Sequence, residues 1–278
     1  MKFSDPQYVL VGPLADPHAL AKWAHEVFKR ATVAFIAVDS GLDPLLESGL
    51  PPALVIGDLD GSRSDSGSAL NPRTKLRSSR LPHGNDAYPL TFIRLKRDKD
   101  RSDLSVALDF CVAMKATSVY AFGFQGGRAD HDFAVHLDLS HASARIPRLT
   151  SLGQSGAVVY LSPKSAPFAA SRAMISELRQ AGSAPGPSKR RAPAKSDPKQ
   201  APKSRHKKPA SPQNSALVSI LPIGGPAKGV KLRGLRFSPP GGIISLTSQG
   251  LSNEIRSAKV QIGLRQGRLA VFFPAKAN

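Results

Sequence analysis

Thr32-Val33-Ala34-Phe35-Ile36-Ala37-Val38-Asp39-Ser40-Gly41 is an uncharged apolar run that stops abruptly at an acid, a hydroxyl and a glycine. Its β-branched and aromatic side chains suit a strand buried on both faces, the pattern of a parallel sheet. Upstream, Tyr8–Val11 is a second short apolar strand. Asp16-Pro17 then supplies a helix cap followed by proline at the first helical position. Leu20, Trp23, Ala24, Val27 and Phe28 follow at helical spacing, which makes Trp23 a core residue. Downstream, a short helix over about 42–48 stops at Gly49. Ala53–Ile56 is the next strand and runs into Gly57-Asp58-Leu59-Asp60-Gly61. Residues 62–86 are polar and read as a long loop. Leu90–Leu95 forms a strand ending at Asp98-Lys99-Asp100-Arg101-Ser102-Asp103.

Ser102 caps a helix whose apolar face is Leu104, Leu108, Cys111 and Val112. Ser118–Phe122 is another strand, followed by a turn through Gly126-Gly127-Arg128-Ala129-Asp130-His131 and a helix over about 131–143. Strands alternating with helices predict an α/β domain with a mostly parallel sheet and flanking helices. Asp39, Asp58, Asp60, the 98–103 cluster and the 126–130 turn all follow predicted strands. Ligands bind outside the carboxyl ends of such strands, so these segments should converge on one edge.

Charge sharpens this reading. The chain carries a formal net charge of +19, yet two acidic clusters stand at predicted strand ends. Hard cations such as Mg²⁺ are held by carboxylate oxygen and usually arrive with phosphate. Phosphoryl chemistry is therefore the first expectation. The basic residues gather in 164–210, among Pro, Ala and Ser, and 180–214 lacks large apolar side chains. That composition predicts a largely disordered linker, since it buries too little to offset its ordering entropy. It also lacks interleaved aromatics, so nucleic-acid binding is not expected beyond a weak, salt-dependent attraction. The single cysteine, Cys111, excludes an intramolecular disulfide framework and a cysteine-rich zinc site. No apolar stretch approaches the roughly 18 residues of a membrane span, and Gly12, Pro13, Asp16 and Pro17 break any signal-like run. A cytoplasmic protein without membrane contact is expected.

Beyond the basic segment, Leu217–Leu221, Gly229–Leu232, Gly242–Leu246, Ile255–Ile262 and Leu269–Phe273 are short strands separated by Gly, Pro and Ser. They predict a small all-β, sandwich-like domain. The expected division is 1–162 for the α/β domain, 163–214 for the linker and 215–278 for the β-rich domain.

The motifs, in order, resemble the thiamine pyrophosphokinase family. Asp39-Ser40-Gly41 is similar to its Asp-Gly-Gly turn, Gly57-Asp58-Leu59-Asp60 to its Gly-Asp-Phe-Asp-Ser motif, and Asp98–Asp103 to its Asp-x-Asp-x-Thr-Asp motif. Gly126–His131 is similar to its Gly-Gly-Arg-x-Asp-His motif. In the β-rich part, Ser219–Gly225 resembles the first strand of the thiamine-binding domain. Gly234-Leu235-Arg236-Phe237 and Gly250-Leu251-Ser252-Asn253-Glu254 resemble its Gly-Leu-x-Tyr and Gly-x-Ser-Asn-Glu motifs. The departures are Ser40, Leu42, Gly61 and Phe237, together with the long 62–86 loop and the basic insertion. Every carboxylate is in place.

The resemblance implies an ATP-dependent pyrophosphokinase that moves a pyrophosphoryl group from ATP to the thiamine hydroxyl, giving thiamine diphosphate and AMP. It implies Mg²⁺ held by Asp58, Asp60 and Asp103, and Arg128 gripping ATP phosphates. Asp130 is either a metal contact or an acid near the attacking hydroxyl. Asp39, Asp98, Lys99, Asp100, Ser102, Gly126 and Gly127 are nucleotide-side candidates, and Ser252 and Asn253 are thiamine contacts. Each also has an ordinary alternative: a solvated loop acid, a surface lysine, a helix cap or a plain turn. His131, beside a helix start, reads more readily as structural than as a general base. A homodimer with sites shared between chains is implied as well. The competing functions are a pterin pyrophosphokinase, which would not need the 219–273 region, and a non-catalytic nucleic-acid-associated protein, against which the intact acids argue.

Overall fold

The computed structural model describes residues 7–28, 33–58, 91–95, 100–182 and 216–275. Six parallel strands form its centre: β1 (Gln7–Val11), β2 (Val33–Val38), β3 (Pro52–Gly57), β4 (Phe92–Arg94), β5 (Ser118–Phe122) and β6 (Arg148–Gly153). They lie in the order β4-β3-β2-β1-β5-β6. The chain therefore reverses its direction of travel across the sheet between β1 and β5, where open α/β sheets form their binding crevice.

Strand alternation divides the core into two layers. Val9, Val11, Phe35, Ala37 and Val55 face α1 (Pro17–Val27) and α2 (Leu42–Glu47). Leu10, Ile36, Val38, Leu54 and Ile56 face α3 (Asp103–Ala113) and α4 (Ala129–Ala142). The expected caps form: Asp16 Oδ1 accepts from the Ala19 amide at 2.7 Å, and Ser102 Oγ from the Ser105 amide at 3.0 Å. Trp23 is buried against the rings of Tyr120 and Phe122. Cys111 is fully buried, which pushes its thiol up to about 12 and leaves it unreactive.

Two expectations change. First, the β-rich region does not stand apart. A hairpin joins β6 to β7 (Gly156–Leu161), and the same sheet continues antiparallel through β15 (Leu269–Pro274), β9 (Leu217–Pro222) and β13 (Asn253–Glu254), ten strands in all. Second, the linker does not begin at 163. Within it, β8 (Phe168–Ser171) pairs with β14 (Lys259–Gly263), and α5 (Arg172–Gln180) packs on β7 and β15.

Strands β11 (Lys231–Arg233), β14 and β8 form a second sheet. Its inward residues, Val260, Ile262 and Ala170, share one core with Val159, Leu161, Val218, Ile220, Val271 and Phe273. The sandwich is thus completed by strands from both sides of the expected boundary. A 60-residue β unit buries too little surface alone, and the shared sheet supplies the missing face. The smallest strands, β10 (Ala227–Lys228) and β12 (Ile243–Ile244), pair with each other.

Candidate functional site

Asp39 follows β2 directly, Asp58 follows β3, and Asp103 is the first residue of α3. Neighbouring strands bring the first two together, and α3, which packs on β2 and β3, brings the third at its N-terminus. One carboxylate oxygen from each lies within 4.8 Å of one from each of the other two, and all three residues are half-buried. The approach depends on Gly57, because a Cβ there would lie 2.8 Å from the Asp39 Cα. Asp39 adopts φ 52°, a left-handed conformation that few residues other than glycine, asparagine and aspartate adopt. Three clustered carboxylates repel one another, so the arrangement favours a hard divalent cation.

The other sequence candidates fall into three groups. Asp60, Asp98 and Lys99 lie outside the described residues. Asp100 is exposed in the loop before α3. The remainder are Ser102, which caps α3, Ser252 and Asn253, which lie in the C-terminal motif, and Gly126, Gly127, Arg128 and Asp130, which follow β5 on the same carboxyl edge.

There, Arg128 and Asp130 form a forked pair, Nη2 to Oδ2 at 2.6 Å and Nε to Oδ1 at 3.2 Å, largely exposed to solvent. Hydrogen bonding to Arg128 lowers the Asp130 carboxyl below its usual range, and the Arg128 guanidinium is raised in turn. The Gly126 amide donates to both oxygens of Asp132 at 3.1 Å, so this amide already has a partner. His131 is exposed in the first turn of α4.

A buried polar chain that sequence reasoning missed supports this turn. Ser151 Oγ donates to Gln125 Oε1 at 2.9 Å, and the Gln125 amide nitrogen meets the His136 ring at 3.2 Å. His136 Nδ1 lies 2.7 Å from the Tyr160 hydroxyl. Burial pushes the Tyr160 phenol well above its usual value, so it stays protonated, and the His136 tautomer sets which of the two groups donates. Burial also lowers the His136 imidazole, with the Asp132 charge opposing. No pattern in the sequence pairs these residues, which come from β6, α4, β7 and the loop after β5.

The C-terminal motif lies at the same carboxyl edge, because β9 runs antiparallel to β15 and begins there. A Cβ on Gly250 would lie 1.8 Å from the Ile220 carbonyl oxygen, so only glycine fits. Ser252 is exposed with φ 55°, and its amide donates to Ser219 Oγ at 3.0 Å. Asn253 is buried. Its Oδ1 accepts from the Phe237 and Glu254 amides at 3.0 and 2.9 Å, and its Nδ2 donates to the Phe237 carbonyl at 2.8 Å. The carboxamide is thereby committed to holding the backbone of Phe237, whose ring is exposed. Ser219 and Leu251 line a pocket of about 400 Å³ with Gln125, Asp132, His136 and Phe272.

Residues 24–148 match the family model described as thiamin pyrophosphokinase, catalytic domain. This stretch is similar to the thiamin pyrophosphokinase catalytic domain. A curated relative named thiamine pyrophosphokinase, from Bacillus subtilis (strain 168), is 29% identical over 97 residues. That match covers 35% of this chain and 38% of the relative, so by sequence the chain spans well under half of it. The fold is shared further. The crystal structure of thiamine pyrophosphokinase from Bacillus subtilis matches with a TM-score of 0.64 at 16% identity, over 98% of this chain and 100% of that one. The thiamin pyrophosphokinase structure from Geobacillus thermodenitrificans matches with 0.61 at 18% identity, over 98% of both chains.

The thiamin pyrophosphokinase catalytic-domain match contains Asp39, Asp58, Asp103, Arg128 and Asp130, the whole described acidic edge. Ser252 and Asn253 lie outside it, in the region where only the fold is matched.

Proposed function

We propose that the protein is an Mg²⁺-dependent thiamine pyrophosphokinase, converting ATP and thiamine to AMP and thiamine diphosphate. The observation that carries the reading is the Asp39–Asp58–Asp103 cluster at the carboxyl edge of a thiamin pyrophosphokinase-type domain. Its donor set fits Mg²⁺: three carboxylates from three segments, with Asp60 as the further sequence candidate. Bound there, the cation would neutralise the polyphosphate of ATP. Asp39 thus joins the set the sequence had assigned to Asp58, Asp60 and Asp103.

The remaining work falls to the chain's own groups. Arg128 presents a planar guanidinium suited to phosphate oxygens, and an arriving phosphate would exchange with Asp130 for that fork. Released from the pair, Asp130 becomes an acceptor near the attacking hydroxyl. Catalysis of this kind rests on alignment and charge neutralisation. Nothing in the comparisons favours the pterin pyrophosphokinase alternative, and the intact acidic edge argues against a non-catalytic role.

A homodimer with composite sites belongs to the same proposal. Within one chain, β13 lies eight strand steps from β3, roughly 38 Å along the sheet at about 4.8 Å per step. Ser252 of one chain is therefore too far from its own Asp58 for both to touch one thiamine, and a second chain would close that gap. Exposed Phe133 and Leu137, one turn apart on α4, and exposed Leu251 offer apolar surface for such an assembly. Among the described residues no helix is long and apolar enough to cross a membrane, and a cytoplasmic location is proposed with the activity.

The test is direct. Purified protein incubated with ATP, Mg²⁺ and thiamine should release AMP and thiamine diphosphate in equal amounts. Release of ADP, or no transfer to thiamine while a hydroxymethyl pterin is used, would overturn the reading.

A further inference from the structure

Two carboxylates outside the metal cluster grip the residues that immediately precede Asp103. Ser102 Oγ, which caps α3, donates to Asp138 Oδ2 at 2.6 Å. Arg101 Nη2 donates to Asp109 Oδ2 at 2.5 Å and to Ser105 Oγ at 2.7 Å. The other Asp109 oxygen accepts from Arg145 Nη2 at 2.9 Å. Asp109 lies on α3, Asp138 on α4 and Arg145 just beyond α4. With His141 they line a pocket of about 350 Å³ between the two helices.

We propose that Asp138 and Asp109 are positioning residues for the metal site. They hold Ser102 and Arg101, and through them the Asp103 carboxylate. The inference rests on reading Asp39, Asp58 and Asp103 as the Mg²⁺ site. Asp103 is the first residue of α3, so its carboxylate moves with the first turn. That turn is pinned by Ser102 to the middle of α4, the helix whose N-terminus carries Arg128 and Asp130. One rigid helix thereby sets both the third metal ligand and the phosphate-facing arginine.

Energetics separates this role from a merely structural one. The Arg101–Asp109 and Arg145–Asp109 pairs are substantially exposed, with 52%, 35% and 41% of the Arg101, Asp109 and Arg145 side chains accessible. Exposed pairs contribute little to folding stability. Metal affinity is far more sensitive, because removing a group that orients a ligand typically weakens binding about 10- to 100-fold.

The experiment uses the full chain and Mn²⁺ as the probe, with free Mn²⁺ followed by electron paramagnetic resonance. Asp138→Ala and Asp109→Ala should each raise the Mn²⁺ dissociation constant by about tenfold while the thermal midpoint barely moves. Ser102→Ala should show the same loss of affinity together with a lower thermal midpoint from the lost helix cap, and Ser102→Thr, which keeps the hydroxyl, should restore wild-type affinity. Unchanged Mn²⁺ affinity in both aspartate variants overturns the inference and leaves the metal site standing. So does an affinity loss that only tracks a collapse in thermal midpoint, which would make the acids structural. Wild-type protein that binds no Mn²⁺ overturns the metal reading itself, and this inference with it.

Discussion

Gly57 and Asp39 stand so close that no side chain fits between them: a Cβ on Gly57 would lie 2.8 Å from the Asp39 Cα and 2.9 Å from its backbone nitrogen. Both obstructing atoms are backbone, so neither can swing aside. Gly57→Ala should force β2 and β3 apart at their carboxyl ends, separating Asp39 from Asp58. The expected cost is about 1–3 kcal/mol of stability, the usual range for overpacking, with a larger loss of turnover. Urea unfolding and steady-state kinetics check both. Wild-type values in each would show that the close approach is dispensable.

Asp58→Asn and Asp39→Asn should each lower turnover by about 100-fold or more, since metal-mediated charge stabilisation is worth several kcal/mol. Each change replaces a carboxylate with an amide of the same shape, so any change in stability should be small beside the loss of turnover. Asp60→Asn is expected to lower turnover as well. The paired measurement is calorimetric melting beside an AMP-release assay at saturating Mg²⁺. Full turnover in a variant would remove that residue from the metal site.

Complementation tests the composite site. Asp58→Asn disables one half of a shared site, and Asn253→Ala disables the other by freeing the Phe237 backbone it holds. Mixed and reassembled, the two inactive chains should recover up to about a quarter of wild-type activity, since random pairing makes half the dimers mixed and each mixed dimer carries one intact site. A fully active monomer in light scattering at micromolar concentration would rule the arrangement out.

The His136 imidazole predicts a pH dependence of stability. Burial holds it below its ordinary value in the folded protein, with Asp132 opposing. As pH falls, the unfolded chain therefore takes up this proton first, from about pH 6.5. The stabilisation is present above that pH and is lost as pH falls toward the folded value. His136→Gln should flatten this part of the profile between pH 7.5 and 5.5 in urea unfolding. An unchanged profile would mean that other groups carry the acid sensitivity.

Much of the acidic edge was legible because its signal is local. An apolar run that stops at an acid, as at Val38-Asp39 and Gly57-Asp58, marks both a buried strand and its ligand-facing end. The caps Asp16 and Ser102 were legible for the same reason, each acting within three residues of itself. The β6–β7 hairpin carried a local sign too, the Gly153-Gln154-Ser155-Gly156 turn, although no element was expected between the helix ending near 143 and residue 163. β8 and α5 were hidden by composition. Their Ser, Ala and Arg residues resemble the adjoining basic stretch, and only pairing with β14 and packing on β7 and β15 define them.

The sequence by itself determined the α/β alternation, the strand ends that carry Asp39 and Asp58, the helix start that carries Asp103, and the order of the motifs. These depend on periodicity and on residue types at fixed short spacings. Tertiary structure alone decided that Asp39 joins Asp58 and Asp103, that Asn253 is spent on Phe237, and that one ten-stranded sheet runs through both halves of the chain. The reason is physical: strand order, the contacts a glycine permits and the partner a buried amide finds are set between segments far apart in sequence. No local pattern encodes which of several available partners packing will bring within reach.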